Sequence, residues 1–138
     1  MSGIVTAMST RDDHNIWPGI SCTDAHAARA WLAGIGFDEG ILVPGEKPDE
    51  IMHSEMIWPE GGRVMVHSQC AGDLAGGPGT CSCYIVTADP DAVYEKARAA
   101  GARIVRELED TDYGSRGFTV SDPEGNTFSF GTYAGAEG

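Results

Sequence analysis

A repeat of 65 residues constrains the fold of this chain more than any other feature. The segment DAHAARAWLAGIGF begins at Asp24, and DPDAVYEKARAAGA begins at Asp89. Each copy opens with an aspartate that can cap a helix, continues with apolar residues at helical spacing, and stops at a glycine, Gly36 or Gly101. A repeat of this length indicates two copies of one supersecondary unit, each burying its apolar face against the other.

The expected order of elements in each copy is βαβββ, which predicts an α+β fold. We expect helices after Asp24 and after Asp89, where Pro90 takes the favoured first helical position. The expected strands cover residues 15–23, 37–43, 50–58 and 63–68, then 80–88, 102–108, 114–121 and 126–133. The predicted organisation is a loose arm (1–13), a first module (14–69), a glycine-rich linker (70–79), a second module (80–133) and a tail (134–138).

The length and charge limit the function classes. A chain of 138 residues suffices for one domain with a hydrophobic core. Its net charge of −12 argues against nucleic acid and anionic membranes as partners. The charge has two interpretations: it keeps the protein soluble, or part of it attracts a cationic or polyamine-bearing ligand. Since no apolar stretch reaches about 18 residues, we expect no membrane span and a cytoplasmic protein.

The four cysteines, Cys22, Cys70, Cys81 and Cys83, do not form a disulfide pattern for an intracellular chain of this size. Cys81 and Cys83 lie two residues apart in a predicted strand, so both point to one face. Their spacing matches neither a redox CxxC loop nor a zinc site. We expect reduced cysteines.

The segments TDAHAARAWLAGIGF (23–37) and YGSRGFTVSDPEGNTFSFGTY (113–133) carry a family resemblance. With the repeat, they resemble the vicinal oxygen chelate superfamily of glyoxalases, bleomycin resistance proteins and dioxygenases, over residues 16–133. The chain is most similar to the small bleomycin-resistance-like members. The resemblance implies two βαβββ modules whose eight strands form a curved mixed sheet around a cup, with helices outside, usually in a homodimer.

The resemblance also implies where a metal would be held. Metal-using members supply four ligands, and the equivalent positions in this chain are Trp17, Val66, Ser82 and Ser129. None of these is a carboxylate, imidazole or thiolate, the donors that hold zinc, nickel, manganese or iron. We therefore expect no metal cofactor in the cup.

A different metal site remains as an alternative. His53 and Glu55 share one face of a predicted strand, and His67 lies on the next strand. Two histidines and a carboxylate suit iron or zinc. The family pattern, however, points Ser54 and Thr119 toward the cup, so the histidines could be rim residues.

Arg116 has two interpretations as well. It follows a flexible Gly-Ser pair and could hold a ligand carboxylate or phosphate, or it could form a structural ion pair.

The expected cup is apolar and aromatic with a few hydroxyls, which suits a flat organic ligand. Its predicted lining is Trp17, Met52, Met56, Trp58, Val64, Val66, Ser82, Tyr84, Thr119, Thr127 and Ser129, with Arg116 as a further ligand-binding candidate.

Two functions are consistent with this lining. The first is a metal-independent homodimer that binds a small organic molecule and sequesters it, for example an antibiotic. The alternative is a lyase, isomerase or oxygenase of the same superfamily. Such an enzyme would be metal-free, with Tyr84, Arg116 or a histidine as the acid or base, or would use the His53/Glu55/His67 site.

Overall fold

The computed structural model describes residues 15–69 and 77–135. The predicted arm (1–13), most of the predicted linker with Cys70, and the last three tail residues lie outside this part of the chain. The first module consists of β1 (Gly19–Cys22), α1 (Ala25–Ile35), β2 (Asp38–Pro44), β3 (Ile51–Ile57) and β4 (Arg63–Ser68). The second consists of β5 (Ser82–Val86), α2 (Pro90–Ala99), β6 (Arg103–Asp110), β7 (Arg116–Ser121) and β8 (Thr127–Gly131).

The eight strands form two four-stranded mixed sheets, one in each module. The strand orders are β1-β4-β3-β2 and β5-β8-β7-β6, so the two modules have the same topology. The first strand of each module runs parallel to its last strand, and the other pairs are antiparallel. The prediction of an α+β fold built from two βαβββ modules is therefore confirmed.

Both helices begin as the repeat predicts. The Asp24 carboxylate accepts a hydrogen bond from the Ala27 N–H at 3.0 Å, and Asp89 accepts one from the Ala92 N–H at 3.1 Å. These bonds satisfy N–H groups that have no partner inside the helix. Neither helix of the described residues is long and apolar enough to cross a membrane.

The helix-covered faces of both sheets belong to one continuous core. Two ring contacts join the modules within it. Trp31 of α1 lies 5.5 Å from Phe128 of β8, and Trp58 lies 5.3 Å from Phe130, measured between ring centroids. The two modules therefore bury their apolar faces against each other, as a two-copy repeat requires.

A pair of glutamates also ties the modules together. Glu124, in the turn between β7 and β8, accepts hydrogen bonds from the backbone N–H groups of Thr23 at 2.7 Å and Asp24 at 2.9 Å. Glu60, in the turn between β3 and β4, accepts one from the Ala88 N–H at 2.9 Å. Each turn thus holds the start of the other module's helix, where a negative charge is favourable.

Candidate functional site

The sheet register shows which side chains share a face. In the first module Gly19 of β1 pairs with Met65 of β4, and in the second Tyr84 of β5 pairs with Ser129 of β8. Gly19 and Tyr84 are equivalent in the 65-residue repeat, so Met65 is the counterpart of Ser129. The prediction that Val66 holds this position is wrong by one residue.

A shift of one residue moves a strand's side chains to the opposite face. The prediction that Ser54, Met56 and Val66 point into the cup is therefore wrong, because all three are buried on the helix-covered face. Ser54 donates its hydroxyl hydrogen to the Val66 carbonyl at 2.6 Å. His53 and Glu55 lie on the other face of β3, together with Arg63 and Met65 of β4. We call this surface, which no helix covers, the open face of module 1, and the equivalent surface of the second module, with Tyr84, Thr119 and Ser129, the open face of module 2.

A repeated tripeptide, Pro-Glu-Gly, is the signal in the sequence that indicates this one-residue change in the offset between the modules. It occurs at residues 59–61 and 123–125, an offset of 64, whereas the helices repeat at an offset of 65. The backbone N–H of Trp58 donates to the Gly62 carbonyl, and that of Asp122 donates to the Asn126 carbonyl, so the two turns also match at 64. Between its helix and its turn, the first module is therefore one residue longer than the second, because Pro59 follows Asp24 by 35 positions and Pro123 follows Asp89 by 34.

With the observed register, the four positions at which the resemblance implies metal ligands carry Trp17, Met65, Ser82 and Ser129. The Ser129 hydroxyl lies 2.8 Å from the Thr119 hydroxyl, and Ser82 accepts a hydrogen bond from Thr127 at 3.1 Å. An indole, a thioether and two neutral hydroxyls lack the anionic or imidazole donors of protein metal sites. These residues do not fit the metal that the superfamily uses.

The open face of module 1 carries a row of paired side chains. Glu55 accepts a hydrogen bond from His53 Nε2 at 2.7 Å and from the Arg63 guanidinium at 2.6 Å. These two bonds hold the pKa of the Glu55 carboxyl below its ordinary value. The Arg63 guanidinium lies 4.8 Å from the ring centroid of Trp17, a cation–π contact.

His67 does not complete a metal site with this row. Its Nδ1 lies 3.0 Å from the backbone carbonyl of Ser68. Within residues 15–69 and 77–135, no three His, Cys, Asp or Glu side chains are grouped so that they could hold a metal ion.

A cavity of about 770 Å³ lies between the two modules. Its volume is in the range of sites for small organic molecules. Apolar residues on its wall include Phe37, Trp58, Val64, Ile85 and Val86, and polar residues include Glu60, Arg63, Tyr84, Thr87 and Thr132.

Three residues of the predicted cup lining, Trp58, Val64 and Tyr84, lie in the wall of this cavity. Trp58 is 6% exposed, and its indole N–H donates to the Val86 carbonyl at 3.3 Å. Tyr84 is half exposed and donates its hydroxyl hydrogen to the Tyr133 carbonyl at 2.7 Å. A Cβ on Gly131 would lie 2.8 Å from the Tyr84 hydroxyl, so this glycine makes room for the tyrosine.

The remaining predicted ligand-binding residues lie elsewhere. Arg116 binds Asp91 at 2.8 Å and Asp110 at 3.1 Å, which lowers the pKa of Asp91. The observed geometry is therefore that of the structural ion pair. Trp17 (39% exposed) and Met52 (63% exposed) lie at the surface and are not part of the cavity wall.

The described cysteines, Cys22, Cys81 and Cys83, are free thiols. The sulfur atoms of Cys81 and Cys83 lie 3.5 Å apart, and Cys83 contributes to the cavity wall. Burial raises the pKa of Cys22 and of Cys83 to about 12, so both are held as protonated thiols.

Comparison with known proteins identifies the family. Residues 19–130 match the family model of the Glyoxalase/Bleomycin resistance protein/Dioxygenase superfamily, and the chain belongs to this superfamily. The expected resemblance is thereby confirmed. No curated protein matches the chain.

Solved structures show the same fold. TioX from Micromonospora sp. ML1 is 28% identical with a TM-score of 0.70, and the match covers 84% of this chain and 95% of TioX. A glyoxalase/bleomycin resistance protein from Streptomyces sp. CB03234 is 20% identical with a TM-score of 0.65, covering 83% and 96%. A bleomycin-binding protein solved in complex with bleomycin is 16% identical with a TM-score of 0.61, covering 86% and 98%.

Proposed function

We propose that this protein binds a flat, cationic organic molecule without a metal ion and thereby sequesters it. The observation that carries this proposal is the cavity of about 770 Å³ with Trp58 and Tyr84 in its wall. Aromatic faces bind flat ligands by stacking and attract cations through the ring quadrupole. The residues at the superfamily's metal positions favour binding without Lewis-acid chemistry.

The charge of the chain and the fold support this proposal. A net charge of −12 attracts a cationic ligand over long range, and added salt screens that attraction. A bleomycin-binding protein has the same fold, so the fold is suited to holding a natural product.

We further propose that the protein is a homodimer. Ser129, Thr119 and Tyr84 lie on the open face of module 2, and Tyr84 is 50% exposed. Trp17, at the open face of module 1, is 39% exposed. A second copy that joins these two faces would line the space between them with both rings. Sedimentation velocity at micromolar concentration is expected to show a dimer, and a monomer would contradict this arrangement.

Titration with a flat cationic dye such as acridine orange tests the binding function. We expect saturable binding that quenches tryptophan fluorescence, weakens with added salt and is unchanged by EDTA. Replacing Tyr84 by alanine removes one stacking partner, worth about 0.5–1.5 kcal/mol, so affinity is expected to fall by about two- to tenfold.

Tyr113→Ala is the matched control, because Tyr113 is 71% exposed and is not part of the cavity wall. The control is expected to bind like the wild type. Equal loss of affinity in both variants would locate the dye elsewhere, and loss of binding in EDTA would contradict metal independence.

A further inference from the structure

Trp17, Arg63, Glu55 and His53 form a row of contacts. These contacts determine the polarity of the row, that is, which of its atoms donate hydrogen bonds and which accept them. Arg63 can only donate hydrogen bonds, and it donates to one oxygen of Glu55 at 2.6 Å. The other oxygen of this carboxylate lies 2.7 Å from His53 Nε2. Because an ionised carboxylate can only accept, the hydrogen of the neutral imidazole must be on Nε2.

This arrangement makes Nδ1 of His53 a hydrogen-bond acceptor. No partner for Nδ1 occurs among residues 15–69 and 77–135, and the side chain is 40% exposed. The row also reaches the cavity, because Arg63 is part of its wall. His53 is therefore two hydrogen bonds away from the cavity wall, in the same row as the partly exposed ring of Trp17.

We propose that this row is a recognition site for an aromatic ligand that carries an O–H or N–H donor, with His53 Nδ1 as the acceptor. The inference rests on the proposed binding function and adds the chemistry of the ligand. A phenol or an aromatic amine placed over the row would donate to His53 Nδ1 while its ring lies along the Glu55–Arg63 pair. An ether at the same place would leave Nδ1 without a partner.

The variant Glu55→Gln tests the polarity of the row. Arg63 would still require an oxygen, so the amide oxygen of the new side chain would face Arg63 and its NH₂ group would face His53. Nε2 would then become the acceptor and Nδ1 would carry the hydrogen. Long-range ¹H–¹⁵N correlation spectra distinguish the two tautomers. We expect Nε2–H in the wild type and Nδ1–H in the variant.

Binding of 2-naphthol and 2-methoxynaphthalene, measured by NMR titration, tests the ligand chemistry. The wild type is expected to prefer the naphthol by about fivefold, the value of one neutral hydrogen bond. The preference is expected to vanish in Glu55→Gln, because Nδ1–H can donate to the oxygen of either compound. It is expected to vanish also in His53→Leu, which leaves the Glu55–Arg63 pair intact. Glu46→Gln, an equal change of charge at an exposed site, is expected to behave like the wild type.

Each other outcome overturns a defined part of the reasoning. An Nδ1–H tautomer in the wild type overturns the polarity of the row. Equal binding of the two naphthalenes to the wild type overturns this inference while the proposed binding function stands. Absence of binding of both naphthalenes and of the cationic dye overturns the binding function, and the inference with it.

Discussion

The two turn glutamates differ in how strongly they should stabilise the contact between modules. Glu124 is half-buried and accepts two backbone hydrogen bonds, whereas Glu60 is exposed and accepts one. All three hydrogen bonds lie at exposed sites, where a hydrogen bond to a carboxylate contributes about 1 kcal/mol or less, below the roughly 1.5–3 kcal/mol of a shielded one. We therefore expect Glu124→Ala to lower the free energy of unfolding by about 2 kcal/mol, and Glu60→Ala by at most about 1 kcal/mol.

Urea unfolding monitored by circular dichroism at 222 nm measures both variants. For a chain of 138 residues, about 2 kcal/mol corresponds to a decrease in Tm of about 6 °C. The slope of the free energy of unfolding against urea concentration is expected to stay unchanged, because neither substitution changes the surface exposed on unfolding. If Glu124→Ala were as stable as the wild type, or cost no more than Glu60→Ala, the carboxylate would not hold the start of α1.

Two further predictions concern the core. Val66→Ala is expected to lower the free energy of unfolding by about 2 kcal/mol, and Met65→Ala by clearly less, because only Val66 is fully buried; equal losses in urea unfolding would contradict the observed register of β4. Cys22 and Cys83, whose pKa values burial raises to about 12, are expected to resist iodoacetamide at pH 8.5 in the native protein and to react in urea, as read by peptide mass spectrometry. Since the unfolded chain releases these protons from about pH 9, stability is expected to fall as the pH rises above 9, and the fall should be smaller in Cys22→Ala.

The sequence was sufficient for the features that depend on local chemistry. Asp24 and Asp89 predict both helix starts because a cap needs only a side-chain oxygen within three residues of the N–H it satisfies. Gly36 predicts the end of α1, where φ is 123° and a Cβ would meet the Trp58 ring at 3.4 Å. The 65-residue offset between these signals is enough to infer two βαβββ modules.

Only the tertiary structure decided which side chains face the site. Alternation along β3 and β4 shows that Ser54 and His53 point in opposite directions, but not which of them points to the core. That choice depends on the hairpin register, and an error of one residue reversed it for Val66 and Met65. The row from Trp17 to His53 likewise cannot be predicted from the sequence. Arg63 and Glu55 are eight residues apart, and only the pairing of β3 with β4 brings them together. The cavity has the same origin, since its wall combines Trp58 of one module with Tyr84 of the other, and only the packing of the modules places them together.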